Sequence, residues 1–241
     1  MESYENFIEY LNTKKNICIV GKGSTSENYD KEIDGTNITK GFDENTPKYD
    51  LYIGIKQAIL LLKHKDILVM NDYEGLFGCE AIFKELKYIV CPFYPHINQV
   101  FNTELNYNAI VFYANKYGFK GKFVIYNLID KHNIIIPKLL NITSFTSGDI
   151  IFNFLNLCPN KKSININLYG IGTTNKDNPN ILQLMLKNHK KNMKNKENTL
   201  YINYLIRRYT KKTGNNTDTR VKLNHVKSKI EMFKDLKIKF N

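Results

Sequence analysis

"SFTSGDIIFNFLNLCPNKKSININLYGIG" (residues 144–172) places a Thr-Ser-Gly turn ahead of an apolar run, then a polar break, a strand-like run and a Tyr-Gly-Ile-Gly turn. The pattern predicts a helix over roughly 147–157 and a strand over roughly 163–169. A helix that feeds a strand through a short break is the repeating half of a parallel crossover.

The same alternation runs upstream. "NICIV" (16–20) reads as the first buried strand and leads directly into "GKGSTS". "LYIGI" (51–55) reads as a strand with "KQAILLLKH" as a helix after it, and "DILVM" (66–70) as a strand with "GLFGCEAIFKEL" (75–86) as the next helix. "KYIVCPF" (87–93) continues the series, residues 104–117 carry Leu105, Ala109, Ile110, Phe112 and Tyr113 at helical spacing, and "GKFVIYNL" (121–128) follows as a strand. Alternating strands and helices of this length predict an α/β fold, a single Rossmann-like domain with a mostly parallel sheet.

Beyond Asn175 the texture changes. "TTNKDNPN" (173–180) is a loop signal, "LKNHKKNMKNKEN" (186–198) is a polar lysine-rich run that suits a solvated helix or a flap, and the last segment regains order. There Val226, Ile230, Phe233 and Leu236 approach helical spacing and "KIKF" (237–240) alternates like a closing edge strand. The organisation expected is an α/β core over 1–175 and a basic helical segment over 176–241, with closing helix and edge strand packed on the same core.

Charge is distributed unevenly. Residues 1–186 hold 19 Lys+Arg against 19 Asp+Glu, and residues 187–241 hold 16 against 4, so the C-terminal quarter accounts for the whole net charge of +12. A neutral body with a basic tail suits an anionic ligand, an acidic partner or a membrane surface, and makes nucleic acid an unlikely partner because the core surface is not basic throughout. No apolar run approaches the roughly 20 residues of a bilayer span, which leads to the expectation of a cytoplasmic chain peripheral to a membrane. The four cysteines, Cys18, Cys79, Cys91 and Cys158, form no CxxC pair and read as buried free thiols.

Three fragments hold polar groups where a parallel sheet binds ligands, beyond the carboxyl ends of its strands. "IVGKGST" (19–25) puts Gly21, Lys22, Gly23 and Ser24 after a strand, which suits either phosphate approach or an ordinary strand exit. It matches neither the P-loop nor the full dinucleotide fingerprint. "ILVMND" (67–72) ends a strand on Asn71, placed either to meet a base or sugar or to cap a turn. The third is Thr146, Ser147 and Gly148 together with Tyr169 and Gly170, the two ends of the stretch quoted first.

No Asp-x-Asp occurs, so a nucleotide would be held without a divalent metal, and no cofactor is called for. Of the five histidines, His64 and His132 read as surface residues and His96 as part of a proline-framed turn or a cleft. His189 lies within the lysine-rich run. His225 stands at the start of the expected last helix, where the helix dipole favours the neutral imidazole that a general base needs. No hydrolase elbow or HExxH zinc motif is present.

In order and spacing these pieces resemble the sialyltransferases, families 29 and 42 of the glycosyltransferases. "CIVGKGSTSENYDKEIDGTNITKGFDE" is similar to the family 29 long motif through Gly21, Lys22, Gly23, Ser24, Ile33 and Asp34, with Lys22 where Asn is usual and no Asn after Lys40. "LVMND" is similar to the segment whose Asn holds the cytidine monophosphate (CMP) part of the donor. Thr146–Gly148, Cys158 and Leu168–Gly172 resemble the short motif.

The resemblance implies a sialyltransferase-like variant of the GT-A fold and metal-independent transfer of a sialic-acid-type sugar from a CMP donor to a glycan or glycolipid hydroxyl. It implies His225 as the general base, with His189 as the second candidate, and donor contacts from Gly21, Lys22, Gly23, Ser24, Asn71, Thr146, Ser147, Gly148, Tyr169 and Gly170. It also implies a bridge between Cys18 and Cys158 in an oxidising compartment. Thr173 and Thr174 stand where bacterial members carry the tyrosines that steady the departing phosphate, leaving Tyr201 or Tyr204 to supply that contact. This departure keeps two other readings open: a catalytically altered or inactive nucleotide-binding protein on the same fold, and a nucleic-acid-associated protein using the basic tail.

Overall fold

The first element of the computed structural model is helix α1 (Tyr4–Asn12), started by Ser3, whose side chain accepts the Asn6 N–H, and buried through Phe7 and Leu11 four residues apart. The structure describes residues 1–23, 48–93, 96–97, 100–101, 106–126, 128–130, 133–135, 147–171, 180–181, 183–185, 187 and 235–240.

Strands β1 (Asn16–Val20), β2 (Leu51–Ile55), β3 (Ile67–Val69) and β4 (Tyr88–Pro92) follow in the order expected. After a hairpin of β5 (His96–Ile97) and β6 (Val100–Phe101) come helix α2 (Tyr107–Lys116) and strand β7 (Lys122–Tyr126). A second hairpin, β8 (Leu128–Asp130) with β9 (Asn133–Ile135), precedes helix α3 (Ser147–Leu157), strand β10 (Asn165–Tyr169) and strand β11 (Lys237–Phe240). The sequence gives no signal that separates the two hairpins from loop.

Among the described residues seven strands form one sheet in the order β11-β10-β1-β2-β3-β4-β7, and all its pairings are parallel. Side chains alternate between its faces. Cys18, Tyr52, Leu68, Ile89, Phe123 and Tyr169 pack with α2 in one cluster, which Ile181 and Met185 also join. Ile17, Ile53, Val69, Val90, Tyr126 and Leu168 pack with α1 and α3 in the other. With layers on both faces the molecule is an α/β sandwich of Rossmann-like character, and a fully buried Phe or Ile adds roughly 1.5–3 kcal/mol to its stability. The closing strand β11 pairs with β10 in the core sheet and presents Lys237 and Lys239 to solvent. Lysines on an outer strand guard against pairing with another chain.

Two expected helices take another form. Residues 56–61 form a 3-10 helix (Lys56–Leu61), and residues 75–86 give two short 3-10 turns, Tyr73–Leu76 and Glu80–Ile82. A six-residue 3-10 segment spans about 12 Å against about 9 Å for the same residues in an α-helix, which suits a short return from one end of the sheet to the other. Gly78, with φ of 79°, interrupts the second crossover.

The bridge between Cys18 and Cys158 is overturned. Both thiols are free, and they belong to the clusters on opposite faces of the sheet. All four cysteines are buried. His64 is half-buried, its ring 5.3 Å from that of Tyr52, rather than a plain surface residue. Among the described residues no helix is long and apolar enough to cross a membrane. The expected last helix (224–236) lies outside the described residues apart from its end.

Candidate functional site

The strand order decides where a ligand fits. From β1 the chain proceeds through β2, β3, β4 and β7 in one direction, whereas β10 proceeds to β11 in the other. The topological switch point, at which open parallel sheets bind ligands, therefore lies at the carboxyl ends of β1 and β10.

Two sequence fragments almost 150 residues apart meet there. The Gly21 N–H donates to Tyr169 O at 2.7 Å and the Gly23 N–H to Gly170 O at 2.8 Å. A Cβ on Gly21 would lie 2.5 Å from Gly170 O and 2.6 Å from Ile171 Cγ1, so only glycine allows the strands to exit this close together. Gly170 itself has φ of 63°. The N–H groups of Gly21 and Gly23 are thus spent on the neighbouring strand, and the anion-cradling amides expected from a glycine turn are not these two.

Tyr169, the last residue of β10, is 1% exposed, and its hydroxyl is 2.8 Å from that of Tyr49. This contact ties the chain entering β2 to the end of β10. Lys22 is half-buried, and its charge opposes the burial and the neighbouring Glu80 charge that push the Cys79 thiol well above its ordinary range. Beside Cys79, the buried Glu80 accepts the Gly78 N–H at 3.1 Å and the Tyr113 hydroxyl.

Asn71 leaves β3 at the same edge, 5% exposed, with the Tyr126 hydroxyl on its Oδ1 and on Met70 O at 2.8 Å. Burial, followed by the charges of Cys91 and Asp72, holds the Tyr126 phenol well above its ordinary range, so the hydroxyl keeps its proton and fixes the Asn71 amide. Adjacent Asp72 pairs with the Lys56 ammonium from the exit of β2. Behind that pair the buried Gln57 amide donates to Glu74 O at 2.5 Å and Phe77 O at 3.3 Å, knitting the two strand exits together.

On the opposite face, α3 runs back along the sheet before β10, so its first turn lies at the carboxyl edge. Ser147 is 3% exposed and among the described residues its hydroxyl has no hydrogen-bond partner, while Asp149, also buried, follows in the same turn. Asn153 donates to Asp149 O at 2.8 Å.

The structure therefore brings Gly21, Lys22, Gly23, Tyr169, Gly170 and Asn71 to one edge, with Ser147 and Gly148 at the head of α3. Ser24, Thr146, His189, Tyr201, Tyr204 and His225 lie outside the described residues. Asp72 closes the "ILVMND" fragment, whereas Lys56 and Tyr126 belong to no motif; the sole trace of Lys56 in the sequence is a lysine directly after a strand that contains Gly54. Among the described residues no group of three His, Cys, Asp or Glu side chains is placed to hold a metal ion.

The chain matches no protein-family model, no curated protein and no solved structure. Its functional reading rests on this edge and on the motifs that converge there.

Proposed function

We propose that the chain is a sialyltransferase-like glycosyltransferase that moves a sialic-acid-type sugar from a CMP donor to a glycan or glycolipid hydroxyl without a metal. One observation carries the reading. The glycine turn after β1 and the Tyr-Gly turn after β10 are joined by hydrogen bonds at the switch point of a parallel sheet, with Asn71 two strands away. Two strand spacings amount to about 10 Å, comparable with the length of a nucleoside monophosphate.

In this reading Asn71 meets the cytosine or ribose, Lys22 and Ser24 face the phosphate, and Thr146, Ser147 and Gly148 face the donor's carboxylate or phosphate. Gly170 borders the donor on the β10 side, with Tyr169 buried behind it. His225, or His189 in its place, takes the proton of the acceptor hydroxyl as its oxygen bonds to the anomeric carbon. The bond to phosphate breaks and CMP departs with the electron pair, steadied by Tyr201 or Tyr204. The basic C-terminal segment keeps the enzyme near anionic lipids that carry the acceptor.

Thr173 and Thr174, in the place of leaving-group tyrosines, favour a second reading: a CMP-binding protein on this fold that does not transfer. A thermal-shift panel followed by a hydrolysis assay separates the possibilities. Stabilisation by CMP but not by UDP, GDP or single-stranded DNA supports both readings, and no response to CMP removes both. Hydrolysis of CMP-sialic acid by the natural chain, lost in His225→Ala, selects the enzyme over the binder.

A further inference from the structure

Among the described residues Lys56 is the one position other than glycine with a positive φ, 54°. Its surroundings explain how the chain turns there. Gly54 is pressed against the returning segment, where a Cβ would meet Ile59 Cα at 2.3 Å, and Ala58 is fully buried. Small residues two before and two after a left-handed residue build a tight elbow between strand and helix, which lifts the side chain at its apex clear of the sheet edge.

The side chain at this apex is a cation. Its stem crosses toward the exit of β3 and lies over Gly75, where an added Cβ would be 3.6 Å from Lys56 Cγ. Its ammonium pairs with Asp72, the two side chains being 25% and 29% exposed. The pair is mostly buried yet still reached by water, which screens it, and left-handed backbone at a lysine works against the fold. The arrangement therefore has little structural reward.

Its position supplies another. In the sheet β2 lies between β1 and β3, so Lys56 stands between the glycine turn at the switch point and Asn71. We propose that Lys56 is an anion-binding residue that takes the phosphate of a phosphorylated ligand lying along the carboxyl edge. Asp72, released from the ion pair, then accepts hydrogen bonds from the ligand's hydroxyls. A ligand that satisfies both carries an anionic acceptor and hydroxyl donors a few ångströms apart, which describes a nucleoside or sugar phosphate. That the base is cytosine rests on the function proposed above; the phosphate contact does not.

Calorimetric titration of the full chain with inorganic pyrophosphate, CMP and cytidine tests this. Lys56→Gly removes the charge and suits the left-handed backbone, so its melting temperature without ligand stays level or rises. Pyrophosphate and CMP should bind it about 10- to 100-fold more weakly than the natural chain, the loss of a hydrogen bond to a charged group, while cytidine binds both alike. Asp72→Asn should weaken cytidine as well as CMP.

Lys56→Gln, which keeps the stem, gives the same comparison should the glycine loosen the elbow. Undiminished pyrophosphate and CMP binding in both Lys56 variants overturns the proposal, as does a natural chain that binds neither anion. Lys56-dependent binding of pyrophosphate with no binding of CMP supports it while removing the CMP-donor function.

Discussion

At the scale of single residues, the junction at the switch point depends on a missing side chain. Gly21→Ala drives a methyl into Gly170 O and the Ile171 side chain, at 2.5 and 2.6 Å, and one of these contacts is backbone that cannot rotate away. We expect a loss of about 1–3 kcal/mol in urea denaturation, typical of overpacking, together with loss of CMP binding. Tyr126→Phe makes the opposite change, deleting the hydroxyl that bonds Met70 O and Asn71. It should cost about 1–2 kcal/mol and weaken CMP through a loosened Asn71 amide. A variant as stable as the natural chain with unchanged CMP affinity would show that Tyr126 does not position Asn71.

At the scale of elements, β1 is anchored at its start by Asp50, whose carboxylate accepts the N–H groups of Lys15 and Asn16, both at 2.9 Å. Those two bonds, chiefly, hold the Asp50 carboxyl below the usual carboxylate range. A group whose folded value is depressed stabilises the fold above its unfolded value, near 3.9, and the contribution fades as pH falls through the folded value. Asp50→Asn should lower stability by about 1 kcal/mol at neutral pH, and its melting temperature should converge on that of the natural chain below about pH 4.

The strands around Asp50 were legible because "NICIV", "LYIGI" and "KYIVCPF" are short β-rich runs bounded by turns, and α2 and α3 because their apolar residues recur at helical spacing. The crossovers after β2 and β3 were not. "KQAILLL" and "GLFGCEAIF" have the apolar content of a helix, but the short return path and the left-handed Gly78 impose 3-10 geometry that no periodicity records. The glycine turn, Asn71 and the Tyr-Gly turn were visible as polar strand exits. The meeting of Lys56 with Asp72 was not, because it depends on which strands become neighbours.

For the whole molecule, the sheet that divides the core also separates Cys18 from Cys158. Burial pushes the Cys158 thiol up to about 11, and holds Cys79 and Cys91 above their ordinary range. A thiol reagent should therefore react slowly with the native chain and rapidly once urea unfolds it, and reductant should leave the melting temperature unchanged. A melting temperature lowered by reductant would mean that a disulfide forms. The central claim is that a nucleotide lies along the carboxyl edge of the parallel sheet, and hydrogen exchange of the natural chain with and without CMP tests it most directly. Slowed exchange in peptides containing Gly21–Gly23, Lys56, Asn71–Asp72 and Gly170–Ile171 is the predicted result. Protection confined to the amino edge of the sheet or to the basic C-terminal segment, or no protection at saturating CMP, would contradict the account.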